Sequence, residues 1–463
     1  MQVTHDVDRN ALDELRAALP DGVVVTEADA VEKYRHDWSR DPSAGTPGAV
    51  VRAENAEHVQ TAVRWAAAHR VPVVPRGAGS GLSGGSSAVD GGIVVSLERM
   101  TAVEIDPLCQ VAVVEPGAFN KDVKAAAAVE GLWYPPDPSS FEICSIGGNV
   151  ATNAGGLCCV KYGVTTDYVL GLDVVLADGT LVTLGGKRIK DVAGLSLLKL
   201  FVGSEGTLGI VTRAILRLVP AQGARSTMVA TFPTVQEAAE AVVVIRTTMR
   251  PCLLELMDRA TINAVEDFRP MGLDRTVGAL LIGQSDAPGE VRSGEIAAMR
   301  AACEAAGAGE CFVTDDAEEG EMFVQARRVS FHALEQRGAL LLEDVGVPIP
   351  LLPDLLGRIV AISQAHRVEI PTVAHAGDGN THPLIVYDAH DADAERRART
   401  AFTEVMAAAI ALGGTITGEH GVGRAKAVAL PDQLGPDVMA LTRRIKDALD
   451  PDGILNPGAI LSR

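Results

Sequence analysis

Apolar residues recur three and four positions apart over residues 10–19 and 55–69, and this spacing predicts two amphipathic helices. Short β-branched runs follow at Pro72–Pro75, Gly92–Leu97, Val111–Val114, Leu172–Leu176 and Ile210–Leu218, each bounded by Gly, Pro or Asp. The mixture predicts an α+β chain and excludes a helical bundle or an all-β sandwich. Past Pro220 the texture changes. Residues 233–251 and 286–308 read as amphipathic helices with a strand, Val277–Ile282, between them, which suggests a second α+β lobe. From Gly413 glycines become dense again, and a helix near 435–449 closes the chain.

Composition narrows the class. The 463 residues allow two large lobes or about three domains. A net charge of −19 argues against a nucleic-acid partner. No stretch reaches the roughly 18 apolar residues of a membrane span, and the N-terminal residues mix charges where a signal peptide needs an apolar run. Cys109, Cys144, Cys158, Cys159, Cys252, Cys303 and Cys311 are odd in number and lack CxxC spacing. They read as reduced thiols of a cytoplasmic protein, with no iron–sulfur cluster. Of the 47 glycines, 22 fall in five segments (77–92, 147–163, 203–209, 377–379 and 411–423) that cover 56 residues. The glycine excess therefore marks particular places.

In the first place, Arg76-Gly77-Ala78-Gly79-Ser80-Gly81 follows a strand, and glycines without Cβ let successive N–H groups converge on a phosphate or pyrophosphate. Gly79, Gly81 and Gly84 match G-x-G-x-x-G, but a Rossmann site needs a helix directly afterwards, whereas Ser86–Gly92 leads into another strand. The loop thus joins strand to strand. In the second, Cys144–Gly156 is small and polar; Asn149, Thr152 and Asn153 offer neutral donors and acceptors to the edge of a flat ligand. In the third, Gly203–Thr212 again runs from loop to strand.

Histidines mark another site. His375 and His382 flank a Gly-Asp-Gly turn, and Glu419-His420 lies between glycines. Two imidazoles and a carboxylate suit Zn²⁺, Mn²⁺ or Fe²⁺. On an extended segment neighbouring side chains diverge, so His375, His382 and Glu419 are the expected ligands and His420 is free to act as a base.

The segments PRGAGSGLSGG, SIGGNVATNAGG and VGSEGTLGIVT, with HAGDGNTHP and GEHGVG, resemble those of the vanillyl-alcohol-oxidase (p-cresol methylhydroxylase-like, PCMH-type) FAD enzymes, in the branch of D-lactate dehydrogenases and glycolate oxidase flavin subunits. The resemblance runs from about residue 40 to the C-terminus. It implies a two-part PCMH-type FAD-binding domain over 1–222. It also implies a substrate cap over 223–412, an antiparallel sheet with flanking helices, and a segment, 413–463, that returns to complete the active site. Residues 76–81 would cradle the pyrophosphate. Asp137, Cys144, Ser145, Gly148, Asn149, Thr152, Asn153 and Gly155 would line the flavin and ribityl. Glu205, Gly209 and Ile210 would reach the adenosine half, and Asn456 would return to the flavin. Many relatives attach FAD through a histidine in the first loop; Ser80 stands there, so FAD is expected to be non-covalent.

The same resemblance implies a metal that binds the 2-hydroxyl and carboxylate of a substrate. His420 would take the hydroxyl proton and the C2 hydrogen would leave as hydride to flavin N5, giving a 2-keto acid. Arg327, in Ala326-Arg327-Arg328, resembles the substrate arginine, whose guanidinium grips a carboxylate; a solvated helical pair is the plainer reading. Glu343 stands where the 2-hydroxyglutarate branch has a lysine, which disfavours a diacid. A small D-2-hydroxy acid such as lactate or glycolate is the expected substrate. The electron acceptor (protein, quinone or oxygen) and the oligomeric state, a homodimer included, are left open. The alternatives are a flavin subunit of a larger complex and, from another class, a His/His/Glu metallohydrolase.

Overall fold

The computed structural model describes residues 8–462; His5 and the first residues of the N-terminal segment lie outside them. The chain forms two compact units. One comprises the stretch ending at Ala154, Val164–Ala221 and the tail from Glu419; the other comprises Gly155–Gly163 and Gln222–Gly418. The second unit thus takes in nine residues of the glycine-rich stretch that the sequence expectation places in the FAD domain.

The first unit contains two main sheets. Strands Ala49–Arg52, Ile93–Ser96 and Val73–Arg76 are parallel, with Val24–Val25 antiparallel at one edge. Helix Ala56–His69 is the crossover between the two outer parallel strands, begun by Asn55, whose side chain accepts from His58 N–H, and ended by left-handed Arg70. Unbroken apolar runs such as Ile-Val-Val suit strands buried on both faces. Residues 77–92 connect the 73–76 strand to the 93–96 strand without a helix, as expected. The five-stranded antiparallel sheet has the order 103–106, 111–114, 210–217, 169–175, 181–185. The chain's end returns here: Val73 N–H donates to Ile454 O and Asn456 N–H to Val73 O, both at 2.8 Å.

Residues 146–152, read from sequence as a polar ligand-lining segment, form a helix. Paired glycines lower helix propensity by roughly 1 kcal/mol each. Fully buried Ile146 and Val150 offset this, as does the Ser145 hydroxyl, which caps Gly148 N–H.

The second unit is an antiparallel sheet with flanking helices. Its order is Cys311–Thr314, Ser226–Phe232, Ala279–Ser285, Leu253–Asp258, Thr372–His375, Asn380–Tyr387, Ala339–Leu342, and Val345–Gly346 also pairs with the 380–387 strand. The predicted helices appear as Val235–Thr248 and Glu290–Ala305. A Thr234/Glu237 capping box starts the first. Two strands and a helix, Leu253–Asp258, Arg259–Phe268 and Ala279–Ser285, separate them, where the pattern predicts one strand. The inserted 155–163 segment packs Leu157 into this unit's core. Lys161 and Tyr162 bind Asp286, and Val160 lies so near Gly377 that a Cβ there would come within 2.6 Å of it.

Candidate active site

In the first unit, the glycine loop and the 146–152 helix meet at Ser145. Its Oγ accepts from Ala78 N–H at 3.2 Å and Gly148 N–H at 3.3 Å. A Cβ on Gly77 would lie 2.2 Å from that oxygen, so glycine is required there. Gly79 has φ +72°, and the N–H groups of Gly79, Ser80 and Gly81 have no protein acceptor among the described residues. Such a row of unspent N–H groups suits an anion as large as a pyrophosphate. The Arg76 guanidinium packs against Gly79, where a Cβ would come within 2.1 Å of Nη2, and Nη1 donates to the Ser86 carbonyl at 3.2 Å. Asn149 is buried and bonds Asn120 and Cys144; Thr152 bonds Gly148 O, and Asn153 accepts from Thr166 N–H. Asp137 is buried in the same unit, whereas Gly155 belongs to the second. Gly209 is pressed against Val174, and the Ile210 side chain joins the core.

Glu205 and Asn456, expected at the cofactor, spend their polar atoms on the protein. The Glu205 carboxylate accepts from Val422 N–H at 2.7 Å and Gly423 N–H at 2.8 Å. The Asn456 amide donates to Gly85 O and Glu205 O and accepts from Arg424. Ser83 completes the knot: its hydroxyl donates to His420 O, and its carbonyl accepts from Arg424 and Ala425 N–H. Gly423 has φ +53°, and a Cβ there would sit 1.9 Å from Ser83 O. The turn that carries His420 is therefore fixed through its main chain. It is bent, not extended, and brings His420 Nε2 to 3.8 Å from Glu419 Oε1, where an extended segment would splay them apart.

Burial pushes the Glu205 carboxyl from its usual 4.5 to about 7, against the opposing pull of the two N–H groups. An acid raised in the folded state binds more protons folded than unfolded between those values. Its contribution is therefore fully present at low pH and is lost as pH rises from about 4.5 through 7, by on the order of 3 kcal/mol. The melting temperature of the protein is expected to fall more steeply from pH 5 to 7.5 than that of Glu205→Gln. Parallel curves in calorimetry would show that Glu205 titrates as in the unfolded chain.

In the second unit, strand register assembles the polar cluster. Thr372–His375 and Asn380–Tyr387 form a hairpin in which His375 faces Asn380 and Val373 faces His382. His382 is two residues beyond Asn380, so both imidazoles lie on one face of the sheet. Their ring centroids are 5.0 Å apart, edge to face. On one flank, Leu256 pairs with Ala374, which sets Glu255 opposite His375. On the other, Val345 pairs with Thr381, which sets Asp344 opposite His382. The contacts follow: His375 Nδ1 is 2.8 and 3.0 Å from the Glu255 oxygens, and His382 Nδ1 is 3.5 Å from Asp344 Oδ1. Asp344 Oδ2 also accepts from the Thr417 hydroxyl and Gly418 N–H, and Glu419 is the next residue.

Arg327 ends helix Ala317–Arg328 and is 4% exposed, so it is not a solvated helical residue. Its Nε lies 2.9 Å from Glu255 Oε2. That contact is an ion pair outside hydrogen-bond geometry: Nε and Nη2 are both buried with no hydrogen-bond partner among the described residues. Glu343 is fully buried, its Oε2 accepting from Asp344 N–H. Sequence reasoning missed Glu255 and did not give Asp344 a role beside His382. The signal for Glu255 was a lone carboxylate in the apolar run Leu253-Leu254-Glu255-Leu256-Met257.

Parallel and antiparallel strands flank the glycine loop in one unit, an antiparallel sheet carries the histidine hairpin in the other, and the family matches identify a flavin-linked oxidoreductase. The chain belongs to the FAD-linked oxidases: residues 47–185 match the family described as "FAD binding domain" and residues 221–460 the one described as "FAD linked oxidases, C-terminal domain". It is 39% identical to the glycolate oxidase subunit GlcD of Bacillus subtilis, over 96% of this chain and 93% of that one. It is 34% identical to a D-lactate dehydrogenase of Archaeoglobus fulgidus, over 91% and 93%. In fold it is similar to 4-ethylphenol oxidase from Gulosibacter chungangensis, with a TM-score of 0.82 at 20% identity over 100% and 99% of the two chains. The likeness to p-cresol methylhydroxylase is equal in TM-score, 0.82, at 18% identity over 98% of each chain. No helix among the described residues is long and apolar enough to cross a membrane.

Proposed function

We propose that the protein is a metal-assisted, FAD-dependent dehydrogenase that oxidises a small D-2-hydroxy acid, lactate- or glycolate-like, to the 2-keto acid. The observation that carries this reading is the hairpin. It presents His375 and His382 on one face, each backed at Nδ1 by a buried carboxylate, with an unspent Arg327 donor beside them. Imidazoles that face carboxylates at Nδ1 keep Nε2 as the lone-pair nitrogen, and that donor set fits Zn²⁺, Mn²⁺ or Fe²⁺.

His375 and His382 would hold the ion together with Glu419, one peptide bond past the anchored Gly418. The 76–81 loop, with Ser145, Gly148 and their neighbours, would hold FAD without a covalent bond. When bound, the two groups supply Lewis acidity toward the 2-hydroxyl and a two-electron acceptor for the C2 hydrogen. Arg327 orients the substrate carboxylate through Nη2. His420 receives the hydroxyl proton, and its fixed main chain keeps the imidazole in place for that transfer. Buried Glu343, negative where a second carboxylate would need a cation, favours a monoacid. Within this reading the segments 1–222, 223–412 and 413–463 serve as FAD domain, substrate cap and returning active-site segment, in a cytoplasmic protein whose cysteines are free thiols.

A second reading, a flavin subunit working inside a complex, is favoured by the word "subunit" in the names of the GlcD relatives. The two are separated by stopped-flow flavin reduction of the purified chain with D- and L-2-hydroxy acids. Rapid reduction by D-lactate or glycolate, and turnover with an artificial dye, supports the lone dehydrogenase. Reduction without dye turnover supports the subunit. Colourless protein that FAD does not reconstitute would discard both and favour a hydrolase.

A further inference from the structure

We infer that Glu255 is a shared positioning residue: it holds the Nδ1–H of the metal-facing His375 and, through its other side, orients Arg327. The inference rests on the reading of His375 as a metal ligand and Arg327 as the substrate-carboxylate group.

Three observations meet at this residue. Register sets Glu255 directly across from His375, so the contact is built into the sheet and does not depend on a loop. Both carboxylate oxygens lie within 3.0 Å of Nδ1, while Oε2 also lies 2.9 Å from Arg327 Nε. All three side chains are nearly inaccessible, with Glu255 1%, His375 3% and Arg327 4% exposed. A carboxylate in an otherwise apolar strand costs several kcal/mol of desolvation, and apolar residues of similar volume commonly replace such buried ion pairs at no loss of stability. Packing therefore gives no reason for Glu255, Arg327 and His375 to be kept together. Function does: a carboxylate behind a histidine fixes the ring's tautomer and rotation and raises the basicity of the opposite nitrogen. The same carboxylate, 2.9 Å from Arg327 Nε as an ion pair, holds the guanidinium in place by charge while Nη2 stays available. One side chain thus sets the spacing between ion and carboxylate clamp.

The test compares wild type, Glu255→Gln, Arg327→Met and His375→Ala, all flavin-loaded, chelator-treated and matched for melting temperature. Calorimetric titration with Zn²⁺ is expected to show 10–100-fold weaker binding in Glu255→Gln, the range for a lost outer-shell partner. Arg327→Met should bind within about threefold of wild type, since His375 keeps its carboxylate. At saturating metal, Glu255→Gln should also raise KM for D-lactate by about tenfold, as expected when a buried guanidinium loses the carboxylate that orients it. Should Glu255→Gln fail to fold, Glu255→Asp is used: its shorter reach cannot serve both partners, and the same two measurements apply. Wild-type Zn²⁺ affinity in the Glu255 variant, with binding lost in His375→Ala, overturns the positioning role and leaves the metal reading standing. An unchanged KM at saturating metal overturns the link to Arg327. Equal binding by His375→Ala and wild type removes the metal reading itself, and the inference with it.

Discussion

Replacing His420 with alanine is expected to leave FAD bound and to slow flavin reduction by at least ~10²-fold, the scale of a lost general base. The separation of the two effects follows from how the turn is held. Ser83 bonds the His420 carbonyl, and Glu205 bonds the N–H groups of Val422 and Gly423, so truncating the imidazole touches none of these anchors. The glycine loop, Ser145 and the 146–152 helix keep their mutual bonds as well. Stopped-flow reduction by D-lactate, with flavin content read from absorbance, checks both halves. Near-normal reduction would remove His420 from the chemistry; loss of flavin would show that the imbalance lies in the fold.

Removing the metal is expected to have an effect at least as large. Chelation should suppress turnover by on the order of 10³-fold, several kcal/mol of lost charge stabilisation, without bleaching the flavin. His382→Ala should reproduce the loss and resist rescue by added Zn²⁺ or Mn²⁺. The protein should still fold, because Asp344 keeps the Thr417 hydroxyl and Gly418 N–H as partners after His382 is gone. Full turnover after metal removal verified by elemental analysis would discard the metal's role.

These predictions draw unequally on sequence and fold. The glycine loop was legible as a strand-to-strand connection because Ser86–Gly92 carries no helical spacing, and the chain does run there from strand to strand. The helix at 146–152 was not legible. Gly147 and Gly148 argue against it locally, and only burial of Ile146 and Val150 in the finished core reverses that preference. Elements with strong spacing, such as Ala56–His69 and Ile210–Arg217, appear within a residue of their predicted bounds.

Glu205 and Asn456 show the limit of reading residues in order. Each lies in a glycine-rich motif and each carries polar atoms fit for a cofactor, but both are taken by groups distant in sequence: the Val422 and Gly423 N–H groups for one, the Gly85 carbonyl and the Arg424 guanidinium for the other. Glu255 shows the converse. It is 120 residues from His375, and although it stands alone in an apolar run, nothing local names the histidine it meets.

The sequence by itself determined the family, the strand-and-helix alternation, the strand-to-strand glycine loop and the pairing of two histidines around one turn. Each of these depends on residues close together in the chain, where backbone geometry and side-chain type suffice. The tertiary structure alone decided which carboxylate backs which histidine, that Arg327 is buried, and that Glu205 and Asn456 lock the His420 turn. Those outcomes depend on sheet register and on competition for buried N–H and C=O groups, and both exist only once strands far apart in sequence have been brought side by side.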